Sequence, residues 1–147
     1  MMNEVFSKKA IQNIVKVNEH ICKHRGEEHG VDDKDLLELI FNDVNSHNDI
    51  ENKKARIIEK ASYLLGGIIY EQPFKNGNKA TADAITDYFL RNNGYELPIR
   101  TEEESNALIQ LELEISPLHT MDGQKHTIFP KLRKFLCLKI VELKTEN

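Results

Sequence analysis

Apolar residues recur at steps of three and four along most of the chain, and this helical period divides it into about six segments. Residues 5–25 place Phe6, Ala10, Ile14, Val17 and Ile21 on one face, with Gly26 behind them as a stop. Asp32 and Asp33 precede Leu36, Leu37, Leu39, Ile40 and Val44, so a second, shorter helix is expected to start on an acidic cap near the positive end of its dipole. The polar stretch 45–49 reads as a loop. From about Ile50 to Glu71, Ala55, Ile58, Ala61, Leu65, Ile68 and Ile69 keep helical spacing, and Pro73 disfavours helical geometry at the residue before it. Gly66 and Gly67 cost this long helix about 1 kcal/mol each relative to alanine, so a crossing helix is expected very close to the backbone there.

A fourth stripe, Ala82, Ile85 and Phe89, stops at Asn93-Gly94, a pairing suited to a left-handed cap. Thr101 followed by Glu104 fits a capping box, with Ala107, Leu108, Leu111 and Ile115 behind it and Pro117 just beyond. Residues 118–129 are less regular. Pro130 is then expected in the first turn of a last helix carrying Leu132, Phe135, Leu136, Ile140 and Leu143. The expectation is a single all-α domain over residues 1–147, about six helices, with a small β-hairpin flap in one of the loops.

Composition narrows the class. A chain of 147 residues with 39% hydrophobic and 30% charged residues can bury one core, and no apolar run reaches the roughly 18 residues of a membrane span. The N-terminal stretch alternates charge with apolar residues and lacks a signal-peptide core, so a cytoplasmic protein is expected. A net charge of -4 argues against bulk nucleic-acid binding. Cys22 and Cys137 lie inside apolar helical patterns and are expected to be small buried hydrophobes. His20, His24, His29, His47, His119 and His126 complete no zinc pattern and read as mostly surface residues.

One stretch points to chemistry. Gln72-Pro73-Phe74-Lys75-Asn76-Gly77-Asn78-Lys79 lies between two helices and opens the second. The first N–H groups of a helix have no internal partner and can hold phosphate oxygens. Gly77 lets the backbone approach a ligand, Asn78 can cap or bond the loop, and Lys75 and Lys79 add positive charge. Phe74 is expected to anchor the loop from beneath. Taken alone, Asn-Gly between helices is more often a plain turn.

The wider stretch from Glu71 to Pro98, EQPFKNGNKATADAITDYFLRNNGYELP, resembles the signature of the Fic/Doc family, His-Pro-Phe-x-(Asp/Glu/Asn)-Gly-Asn-(Gly/Lys)-Arg followed by a helix ending in Phe-Leu and Asn-Gly. The resemblance extends back through residues 51–70 and forward into residues 101–110, about half the chain. Pro73, Phe74, Gly77, Asn78 and Lys79 match, Lys79 favouring the Doc (death-on-curing) branch, and so do Ala82, Phe89, Leu90, Asn93 and Gly94. The resemblance implies transfer of part of a nucleotide, commonly AMP from ATP (AMPylation) or a phosphoryl group, onto a hydroxyl of another protein. The motif His would be the general base, the acidic residue would hold Mg²⁺, the Gly-Asn loop would cradle phosphates, and the Arg would neutralise them.

The sequence departs from those roles at three positions. Gln72 stands where the His belongs, and an amide cannot take a proton near neutral pH. Asn76 offers Mg²⁺ a neutral carbonyl, and Ala80 removes the bidentate phosphate fork. Glu71 points about 100° away from Gln72 on a helix and does not replace the base. The family's autoinhibitory pattern, Ser/Thr-x-x-x-Glu-(Gly/Asn), has no match, since Ser46 to Glu51-Asn52 is one residue too long. Control would therefore fall to an antitoxin-like partner, as in toxin–antitoxin pairs.

Three readings follow: a degenerate family member that keeps the fold and weak ATP or partner binding, or an active transferase with a substitute base. The sign of the second would be His47, His119 or His126 converging on Gln72. The third is a helical interaction protein, marked by an exposed apolar face away from the loop.

Overall fold

A computed structural model describes residues 4–99, 101–115 and 125–143, without the side chains of 125–128. Six helices carry the chain: α1 (Lys8–Arg25), α2 (Lys34–Asn45), α3 (Lys53–Glu71), α4 (Asn78–Asn92), α5 (Glu102–Ile115) and α6 (Lys125–Lys139). Two short strands, β1 (Tyr95–Glu96) and β2 (Val141–Glu142), pair antiparallel. The expected flap is thus a ladder between segments far apart in sequence and not a hairpin. Leu143 N–H adds a bond to Gly94 O at 2.9 Å, which fastens the segment after α6 to the end of α4.

The central element is α3, which packs against α4, α2 and α6 and touches α5. Its glycine pair explains how two neighbours approach at once. A Cβ on Gly66 would stand 2.5 Å from Leu132 Cδ1 and 2.9 Å from Phe129 Cε1 of α6, and one on Gly67 would stand 3.1 Å from Ile40 Cγ2 of α2. Close approach on both sides offsets the propensity lost to the glycines. Tyr63 and Phe129 stack next to this crossing at 4.2 Å.

Helix ends follow local chemistry. Ser7, Asp33 and Asn52 cap α1, α2 and α3 by accepting from Ala10, Leu36 and Ala55 N–H respectively, while Gly26 closes α1 at φ 70°. Thr101 Oγ1 accepts from Glu104 N–H and donates to the Glu104 carboxylate, which completes the expected cap of α5. Before α1, Glu4 pairs with Arg56 and its carbonyl accepts from Lys60 Nζ, a fully buried lysine whose pKa burial lowers.

Four expectations need correction. The buried line of α1 is Ile14, Asn18 and Cys22, rotated by one residue from the apolar stripe, because Asn18 has polar partners inside. Helix α6 starts at Lys125, so Pro130 is interior and only one N–H is lost from the ladder; residues 116–124 lie outside the described residues. The stripe of α6 ends at Ile140, and Leu143 belongs to the strand pairing. Cys137 is exposed on α6, whereas Cys22 is buried as expected.

Candidate functional site

Helices α3 and α4 meet at the loop 72–77, as the periodicity and Pro73 require. Gln72 caps α3 in the left-handed region at φ 51°, with its N–H on Ile68 O at 2.9 Å. A non-glycine residue there carries about 1–2 kcal/mol of backbone strain, and the surroundings hold it in place. Pro73 O accepts from Asp32 N–H at 2.8 Å and Asp33 N–H at 3.3 Å, and Lys75 N–H donates to Gly30 O at 2.9 Å. Phe74 forms a bridge to Val31 and is 2% exposed, part of the core.

Asn78 clamps the loop from the start of α4. Its Oδ1 accepts from Phe74 N–H at 3.0 Å and its Nδ2 donates to Phe74 O at 2.9 Å, so one amide side chain satisfies both polar groups of one residue. Behind the loop, Asn18 Nδ2 donates to Asn76 O at 2.8 Å and to Thr81 Oγ1 at 3.1 Å. Asn76 Nδ2 donates to Glu28 O at 2.9 Å. Gly77 precedes α4 at φ 73°, where a Cβ would stand 3.0 Å from Cys22 Sγ. Burial pushes the pKa of the Cys22 thiol up, so it stays neutral, and it donates to Asn76 O at 3.5 Å.

The result is a helix start with no side-chain cap, in contrast to α1, α2 and α3. The first i→i−4 bond of α4 is Thr81 N–H to Gly77 O, so the N–H groups of residues 78–80 precede the ladder. Of the charged residues expected here, Lys75 is exposed and pairs with Glu28 at 3.4 Å. Lys79 is exposed one turn before Asp83, and its charge opposes, without overcoming, the upward shift that burial gives Asp83 of α4 and Glu112 of α5. Ala80 is half-buried in the first turn.

His47 does not join this loop. Its Nδ1 lies 2.8 Å from Asp43 O and its ring packs on Tyr63, nine residues and roughly 13 Å along α3 from Gln72. His119 lies outside the described residues, and the side chain of His126 is not described.

Sequence reasoning missed the inner face of the site. Asn18 and Thr81 support the loop, although Ile14, Asn18 and Cys22 at steps of four were the available signal. It also missed a second polar cluster. Asp83 of α4 and Glu112 of α5 share a hydrogen bond, Glu112 is 1% exposed, and desolvation together with Asp83 pushes its pKa up to about 9. Burial also raises the pKa of Asp83.

Residues 10–90 match the family model described as Fic/DOC family. That span takes in the four helices that build the loop and its supports and covers more than half of the chain. The chain therefore belongs to the Fic/Doc family. No curated protein and no solved structure matches it significantly.

Proposed function

We propose that this chain is a degenerate member of the family, closest to its Doc branch, which keeps the phosphate-cradling loop but has given up transfer to protein hydroxyls. The observation that carries the reading is the uncapped start of α4, held by Asn78, Phe74 and Asn18, with Gln72 and Ala80 where base and arginine belong. Aligned N–H groups suit an anion, so the phosphates of ATP fit this loop. Mg²⁺ fits poorly: Asn76 supplies one neutral oxygen, and its amide is oriented by Glu28 O.

Without a general base, transfer loses roughly a hundred- to ten-thousand-fold in rate. Ala80 adds the loss of a charged clamp on the transferring group. His47, held by Asp43 O and packed on Tyr63, stands roughly 13 Å along α3 from Gln72 and does not replace the base. No described helix is long and apolar enough to cross a membrane. An antitoxin-like partner would matter only to a member that still transfers.

Transfer from labelled ATP tests the reading. The wild type is expected to label no protein, and calorimetry is expected to show weak ATP binding that Mg²⁺ changes little. Gln72→His alone should recover little, and Gln72→His with Ala80→Arg more than the single changes add up to, since base and clamp act as one unit. Robust wild-type labelling that disappears in Gly77→Glu or Lys79→Ala would overturn it.

A further inference from the structure

Helix α1 runs antiparallel to α4 and is pinned to it twice. Near the loop, Asn18 donates to Thr81 Oγ1 at 3.1 Å and Cys22 lies against Gly77. At the far end Phe6, just before α1, stacks on Phe89 at 5.6 Å. Between the two pins stand Ala10 and Ala84, whose side chains are too short to close the gap. A hollow of about 600 Å³ remains there, and Tyr88 at its edge stands ten residues, roughly 15 Å, along α4 from Asn78 at the loop.

The walls of the hollow are apolar: Ala10, Ile14 and Val17 on α1, Ala84 and Ile85 on α4, and the half-exposed ring of Tyr88. Its other polar lining, Ser7, Lys9 and Asn13, comes from α1 and its cap, so the hollow holds one cation and no carboxylate. A second recess, between α4 and α5, has the opposite balance, with Asp83, Asp87, Glu96 and Glu112 against Arg91. The sign follows from α1 as a whole. Five cations, Lys8, Lys9, Lys16, Lys23 and Arg25, stand against one carboxylate, Glu19, which gives this helix a charge of +4 in a chain whose net charge is -4. Lys8 and Lys9 even occupy a first turn without acidic residues, where the helix dipole opposes a cation.

We propose that this hollow binds a small organic anion, a carboxylate on a flat apolar body, with Lys9 meeting the charge and the body packed among Ala10, Ala84 and Tyr88. The volume lies within the roughly 300–1,000 Å³ of small-ligand sites, whose walls are mostly apolar with a few polar groups to orient the ligand. The Tyr88 ring offers a face for offset stacking. Ser7 Oγ accepts from Ala10 N–H and keeps its own proton to donate, and the Asn13 amide is a second donor for a carboxylate oxygen. A cationic ligand would meet Lys9 with no acid in the lining to offset it, and a neutral one would leave that charge unused.

The test is a titration of the whole chain with naphthylacetate, followed by calorimetry and by amide shifts at residues 10, 13, 84 and 88. Saturable binding is expected at roughly 0.1–1 mM, and weaker binding of naphthylethanol, which lacks the charge, and of naphthylmethylammonium, which reverses it. Lys9→Glu should weaken naphthylacetate several-fold and strengthen naphthylmethylammonium, so that the order of the two inverts. Ala84→Leu fills the hollow and should weaken binding about tenfold or more, and Tyr88→Ala several-fold. All three positions are solvent-exposed, so these variants are expected to fold.

No saturable binding up to about 20 mM would overturn the proposal. Displacement of naphthylacetate by ATP, with shifts at residues 76–80 in place of 84 and 88, would overturn it by moving the anion to the loop. Sedimentation of the chain as a dimer that Ala84→Leu breaks would overturn it in favour of a second copy in the hollow. Unchanged affinity in Ala84→Leu, with the fold intact by circular dichroism, would overturn it as well.

Discussion

Thr81 and Thr86 are both buried on α4, five residues and about 140° apart, and their hydroxyls meet opposite fates. Thr81 faces α1, where Asn18 donates to it and to Asn76 O, so hydroxyl, amide and loop carbonyl are mutually satisfied. Thr86 lies on the other side of the helix, where its buried hydroxyl finds no partner. One helix thus carries a face whose polar atoms build a rigid loop and a face whose polar atoms stand ready for something else. Buried polar groups that are fully met serve architecture, and those left unmet mark where a ligand or water can act.

The largest effect expected on the satisfied face is that of Phe74→Ala, which removes the loop's anchor and should cost about 3–5 kcal/mol in urea unfolding. Asn78→Ala should follow at about 2–3 kcal/mol, because it deletes two bonds and leaves both backbone groups of Phe74 unmet. Next comes the direct contrast. Thr81→Val should lose about 1–2 kcal/mol by stranding a donor of Asn18, whereas Thr86→Val should gain about 1 kcal/mol by removing a hydroxyl without partners. Equal signs for the two valines would erase the distinction between the faces.

The smallest effect concerns pH. Glu112 titrates near the ordinary glutamate value of 4.5 when unfolded and at about 9 when folded, so between these values the folded chain keeps a proton that the unfolded chain has released. Stability from this group is fully present below about pH 4.5 and is lost as pH rises towards 9. Glu112→Gln should flatten that decline and raise Tm by a few °C at pH 8, read by thermal scans between pH 5 and 9.

Much of the loop-bearing half was legible because its signals are local. Period, Pro73 and the Asn93-Gly94 stop set α3 and α4 within a few residues, and Gly66-Gly67 announced crossing helices, here α6 and α2. Phe74 was legible as an anchor because a lone aromatic ring in an otherwise polar loop has little to do but pack beneath it. The pairing of β1 with β2 was not, since two-residue strands far apart in sequence carry no pattern. Glu112 escaped notice although it sits on the apolar line from Leu108 to Ile115, four residues after one and three before the other. An acidic residue on such a line reads as helix surface until another helix is laid across it, and α4 supplies Asp83 only through tertiary packing.

The bonds from Asp32, Asp33 and Lys75 across to the opposite strand of backbone have a dynamic consequence. Because Pro73 O receives the N–H of the residue that caps α2, the loop cannot lift without exposing that helix's first turn, and Val31 leaves Phe74 at the same moment. Amides 32, 33 and 75 should therefore exchange with deuterium at one common rate, as a single cooperative unit. Hinge-like lids open by themselves; this loop opens only together with the start of α2.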